Sequence, residues 1–210
     1  MENLDPDYGI ELYWLPIGAG GTGFVRLNGR VYEAVSSWLQ RRRPCELYHS
    51  GLQVRVPEGW YVIEQTPAAP GGEERGVVGV GPIGARWLAA RAPLFRYELR
   101  CWLGGAIPDA DEAVESPRRL TSDLRIARRL LDLAPRVPML TWGRDELGAG
   151  EMWNSNSQVA WLLARSGLDA EAIQLPSNGR APGWQAGLLA AGLLDDVKSF
   201  GRISCTRPSG

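Results

Sequence analysis

The chain has 210 residues, 44% of them hydrophobic and 22% charged, a balance that suits a soluble globular domain with enough apolar material to bury a core. With 23 basic against 24 acidic residues the net charge is -1, which excludes an overall field that would draw the protein to nucleic acid or anionic lipid. No stretch approaches the roughly 20 apolar residues of a membrane helix, and Met1 to Trp14 lacks the basic and apolar regions of a secretory signal. The expected location is the cytoplasm, without an integral membrane segment.

Tyr8 to Pro16, rich in Ile, Leu, Tyr and Trp, predicts a strand. The glycines Gly18, Gly20, Gly21 and Gly23 follow without the Lys-Ser/Thr ending of a phosphate loop, so they predict a flexible turn. Val31, Ala34, Val35, Trp38 and Leu39 fall at helical spacing, and Arg41, Arg42, Arg43 and Pro44 close that helix. Leu47 to Val56 and Trp60 to Thr66, joined by Pro57-Glu58-Gly59, predict a hairpin that carries His49 on its first strand and Glu64 on its second.

Pro67 to Glu74 is a loop, Val77 to Val80 a short strand, and Ile83 to Ala92 is ambiguous. Phe95 to Leu103 alternates as a third clear strand, with Cys101 in the core. Asp109, Asp111, Glu112 and Glu115 lack calcium-loop spacing and predict a solvated acidic loop. Ser122 is the expected cap of a helix with the face Leu124, Ala127, Leu130, Leu131 and Ala134, closed by Pro135. Trp142 to Trp153 is a glycine-bearing loop. Asn154-Ser155-Asn156-Ser157 has N-cap character ahead of a helix from Gln158 to Arg165 that stops at Gly167, and a last helix runs from Trp184 to Leu194.

One α+β domain is expected over residues 1–210: an N-terminal strand and helix over about 8–46, a sheet with His49 over 47–104, and helices over 118–195. Cys45, Cys101 and Cys205 are odd in number and lack a Cys-x-x-Cys pair, and His49 is the only histidine. Three reduced thiols, no metal and no cofactor are the expectation.

The Asn-Ser-Asn-Ser segment is where chemistry is expected. A hydroxyl at a helix N-terminus meets unpaired N–H groups and the positive end of the helix dipole, which stabilise a developing anion. Ser155, with Ser157 as the other candidate, would need a base, and His49 is the only imidazole; Glu64 is the candidate carboxylate to orient it. Trp153, Asn154, Asn156 and Trp142 are the expected binding residues, and Trp142, Trp153 and Trp161 are placed to line an apolar or acyl cleft. The alternative is that these asparagines and serines only cap the helix.

Tyr48-His49-Ser50-Gly51-Leu52-Gln53-Val54, followed by Tyr61-Val62-Ile63-Glu64, resembles the histidine strand and following Val-Ile-Glu strand of the NlpC-like papain superfamily. In its circularly permuted members, the lecithin retinol acyltransferase-like and YiiX-like proteins, the histidine strand precedes the nucleophile helix, as it does here. Asn154 to Ser157, with Arg96-Tyr97-Glu98-Leu99 upstream and Leu175-Pro176 downstream, also resembles a bacterial family marked by Asn-Ser-Asn-Thr-Phe. The resemblance covers about residues 47–185 and implies a permuted papain-like fold, an antiparallel sheet packed against a nucleophile-type helix. Those enzymes carry cysteine where this chain has Ser155. Two functions therefore stand open: a serine-variant hydrolase or acyltransferase acting on an amide or ester in a small-molecule, peptide or acyl substrate, or an inactive binding or scaffold protein on the same fold.

Overall fold

A computed structural model of the chain describes residues 7–17, 45–68, 76–84, 92, 95–107, 109–177 and 179–192. The glycine turn at Gly18–Gly23, the helix from Val31 with its arginine end, most of the Pro67–Glu74 and Ile83–Ala92 stretches, Asn178, the end of the last helix and Cys205 lie outside them.

The described residues form a mixed α+β architecture. Its strands are β1 (Gly9–Pro16), β2 (Glu46–Val56), β3 (Gly59–Pro67), β4 (Val77–Pro82), β5 (Arg96–Leu103), β6 (Arg118–Thr121) and β7 (Gly179–Arg180). Its helices are α1 (Leu124–Leu133), α2 (Ser155–Ser166) and α3 (Trp184–Ala190). The strands join in one open sheet of order β4-β5-β3-β2-β1-β6, antiparallel throughout, with β7 added parallel to β2 at Glu46↔Gly179 and Leu47↔Arg180. The expected hairpin is present: Val56 pairs with Gly59 around Pro57-Glu58, and Arg55 lies over the ring of Trp60, its cross-strand partner.

Alternation along each strand separates two faces. The inner face carries Ile10, Leu12 and Trp14 from β1, Leu52, Val54 and Val56 from β2, Ile63 from β3, and Tyr97 and Leu99 from β5. All three helices pack on it, through Ala127 and Leu130, through Val159 to Leu163, and through Trp184, Ala186 and Leu188. Buried around almost its whole circumference, α2 is the central helix. Among the described residues the outer face has only a small apolar cluster, Leu15 and Val62 covered by Ile107.

Two expectations are corrected here. Helix α1 is capped by Asp123 rather than Ser122: its carboxylate accepts the Arg125 N–H at 2.7 Å, while Thr121 Oγ1 accepts the Asp123 N–H at 3.0 Å. The residue next to the first helical turn reaches the open N–H groups, and its negative charge suits the dipole. The three reduced thiols are overturned at Cys45, which is disulfide-bonded, while Cys101 is free. Spacing in the sequence carries no information about which cysteines meet in space. The short strands β6 and β7 were not anticipated, being too brief to show a period.

Candidate functional site

The N-terminus of α2 is built by its own side chains. Asn154 is the N-cap: its Oδ1 accepts the N–H groups of Asn156 and Ser157, and the Ser157 Oγ accepts the Asn154 N–H at 3.1 Å, a reciprocal capping box. The same residues tie α2 to the start of α3. Asn154 Nδ2 donates to the Pro182 carbonyl at 2.8 Å, and the Ser157 hydroxyl donates to the Gly183 carbonyl at 2.7 Å. Ser157 is fully buried and occupied by these bonds. Ser155, half-buried at the first helical position, makes no side-chain hydrogen bond among the described residues.

Asn156 reaches the other way, to the sheet. It accepts the Ser50 hydroxyl at 2.8 Å, and its Nδ2 donates to the carbonyls of Tyr48 and Pro182, each at 2.9 Å. The geometry of β2 explains the contact. The Ile17 N–H on the Leu47 carbonyl shows that odd residues at this end of β2 turn their main-chain groups to β1, so those of Tyr48 and Ser50 face the opposite edge. Pairing with β3 on that edge ends at Leu52↔Ile63, and β7 takes it up again only at Glu46 and Leu47. The Asn156 amide fills the break and satisfies the Tyr48 carbonyl, which no strand among the described residues pairs.

His49 stands on the other side of the sheet. It pairs with Leu15, which belongs to the outer cluster, whereas its neighbour Ser50 pairs with Trp14 of the inner core and meets α2. Directly opposed residues share a face and successive ones alternate, so the imidazole and the α2 serines project from opposite faces. Glu64 has the parity of Val62 and so joins His49 on the outer face. The structure thus places His49 and Glu64 on one face of the sheet and brings Asn154, Asn156 and Ser157 together on the other side, at the start of α2. Burial lowers the His49 pKa against a smaller opposing effect of Asp109, and burial raises that of Glu64 against the pull of Arg100.

The tryptophans do not line one cleft. Trp153 and Trp161 are core residues, and Trp142 is exposed on a loop whose main chain continues the β4 edge through its bonds with Pro82 and Gly84. Residues without a sequence signal complete the region. Glu151 accepts the Gly183 and Gln185 N–H groups at the start of α3, and burial still raises its pKa. Tyr97 donates to the Leu140 carbonyl at 2.7 Å, and burial likewise holds its phenol well above the usual range. Ser50 is the missed residue that sequence parity could have found, because it shares its alternation with Leu52, Val54 and Val56. Among the described residues no group of three or more His, Cys, Asp or Glu is placed to hold a metal ion, and no helix is long and apolar enough to cross a membrane.

No family model, curated protein or solved structure matches the chain.

Proposed function

We propose that this chain is a non-catalytic binding protein on a permuted papain-like frame, in which the Asn-Ser-Asn-Ser segment has become a structural clasp. One observation carries this reading: Ser50 and His49 are adjacent in β2, Ser50 bonds Asn156 of α2, and His49 therefore faces away from the helix that would bear the nucleophile. A serine hydroxyl is hardly ionised at neutral pH and depends on a base within hydrogen-bond reach. With Ser157 held by Gly183 and the imidazole across the sheet, neither serine has that base.

The competing hydrolase or acyltransferase reading draws its support from Ser155, whose hydroxyl has no hydrogen-bond partner among the described residues and sits at the positive end of α2. The two are separated by intact-mass analysis after exposure to a broad serine-reactive fluorophosphonate, on the wild type and on Ser155→Ala, Ser157→Ala and His49→Ala. The binding-protein reading expects no adduct on any of them in the folded state. A single adduct lost in both Ser155→Ala and His49→Ala overturns it. The disulfide at Cys45 supports an oxidising compartment in place of the cytoplasm expected from composition.

A further inference from the structure

Buried polar atoms without a partner are few in native proteins, and each calls for an explanation such as a missing ligand or water. Two of them, Gln65 Oε1 and Thr66 Oγ1, lie in β3 just beyond Leu52↔Ile63, where β2 and β3 cease to pair although both strands continue; by alternation Gln65 shares the inner face of Ile63 and Thr66 the outer face of Val62. Both are acceptors, and a hydroxyl can also donate.

On the outer face this parting carries Thr66 and Glu64 from β3 and His49 from β2. Extending the β2–β3 register places Thr66 opposite His49 and Glu64 opposite Gly51. A Cβ at Gly51 would lie 3.6 Å from Ile107 Cδ1, so Ile107 roofs the position between the polar groups and closes one side with an apolar wall. Asp109, two residues beyond Ile107 and in the left-handed region at φ 59, adds a carboxylate that acts on His49. The cation that pairs with Glu64 across β5 is Arg100, and its guanidinium is already bound to Glu98 at 2.7 and 3.0 Å. Among the described residues the notch has a surplus of acceptors and negative charge and a shortage of donors.

We propose that this notch, formed by His49, Glu64 and Thr66 under Ile107, binds a positively charged nitrogen group, a primary ammonium or a guanidinium, of a ligand whose apolar part rests on Ile107. The inference rests on the binding-protein reading and gives it a ligand class. An ammonium or guanidinium supplies the N–H donors that Thr66 Oγ1 and the Glu64 carboxylate lack, and a neutral imidazole adds a further acceptor.

The test uses the single histidine as the reporter. The imidazole signals of His49 in the full-length protein are followed by NMR during titration with propylammonium and with methylguanidinium chloride, against sodium chloride at matched ionic strength. A saturable shift with either organic cation, absent with sodium, is expected; which of the two acts identifies the group. Glu64→Gln should weaken it at least tenfold, Thr66→Val several-fold, and Thr66→Ser should retain it, all three keeping the wild-type circular dichroism. Shifts no larger than those of sodium chloride, or shifts unchanged in Glu64→Gln, overturn the proposal. The fluorophosphonate experiment is independent: an adduct removes the non-catalytic reading whatever the cation does, and a failed titration without an adduct removes only the ligand.

Discussion

The Ser50 hydroxyl donates to the Asn156 carbonyl oxygen at 2.8 Å, and this bond ties the inner face of β2 to the start of the central helix. Through Nδ2 the same amide closes the Tyr48 carbonyl, which no strand among the described residues pairs, and the Pro182 carbonyl that leads into α3. One buried side chain therefore joins the sheet, the central helix and the last helix.

Replacing Asn156 should be among the most damaging polar changes in the molecule. Asn156→Ala leaves the buried Tyr48 carbonyl without its side-chain donor and the buried Ser50 hydroxyl without its acceptor, while the Pro182 carbonyl keeps Asn154 Nδ2; each orphaned group costs about 1–3 kcal/mol, so a loss of roughly 3 kcal/mol is expected in urea unfolding. Asn156→Asp at neutral pH should be at least as severe, since a carboxylate has no proton for those two carbonyls. Ser155→Ala should change stability by less than about 0.5 kcal/mol, because among the described residues that hydroxyl makes no hydrogen bond. Equal losses for Asn156→Ala and Ser155→Ala would contradict the clasp.

The hairpin and the strand around Cys101 were legible from their alternation, and the α2 start was legible from its asparagines and serines, which form the cap as their chemistry suggests. The face occupied by His49 was also written in the sequence. Tyr48, Ser50, Leu52, Val54 and Val56 share one parity and make the apolar set, while His49, Gly51, Gln53 and Arg55 make the polar one. The resemblance to a histidine strand rests on residue type, whereas parity decides which face the imidazole takes. What could not be read was the parting of β2 from β3, because it depends on α2 and β7 arriving from more than 100 residues away to take over the strand edge.

Stability should depend on pH through His49. Burial lowers its folded pKa below the ordinary value of 6.5, so between the two values the unfolded chain binds the extra proton. The stabilisation is present above about pH 6.5 and is lost as pH falls toward the folded pKa, with a slope of up to about 1.4 kcal/mol per pH unit. The raised Glu64 and Glu151 act in the opposite sense, favouring the fold as they protonate at lower pH. Urea midpoints of wild type and His49→Gln from pH 5 to 8 isolate the histidine: the difference between the two curves should change below pH 6.5 and be flat above pH 7.5. A difference constant across the range would remove His49 as the source.

Thiol counting tests the disulfide at Cys45. Of three cysteines, Cys101 is free and half-buried, and burial pushes its thiol up to about 11. Iodoacetamide at pH 8 should therefore modify the native protein slowly, give one adduct in denaturant without reductant, and give three after reduction. Two or three adducts in denaturant without reductant would show that the thiols are reduced, as the sequence alone suggested.

The two glycines that follow and face α2 separate backbone strain from loss of the clasp. Gly167 ends α2 at φ 103, and a Cβ added there would meet no heavy atom within 4 Å, so Gly167→Ala should show only the left-handed penalty of about 1–2 kcal/mol. Gly183 precedes α3 at φ 93, and a Cβ there would lie 2.5 Å from Asn154 Oδ1, the atom that caps α2. Gly183→Ala must add to the same backbone penalty the displacement of the cap, worth about another 0.5–2 kcal/mol. The double-mutant cycle with Asn154→Ala supplies the check. If the extra loss comes through the cap, Gly183→Ala should cost less once Asn154 has been shortened, whereas Gly167→Ala should cost the same in either background. Additive losses for both glycines would mean that Gly183 acts through its own backbone alone and that the approach of α3 to the α2 cap is not what selects glycine there.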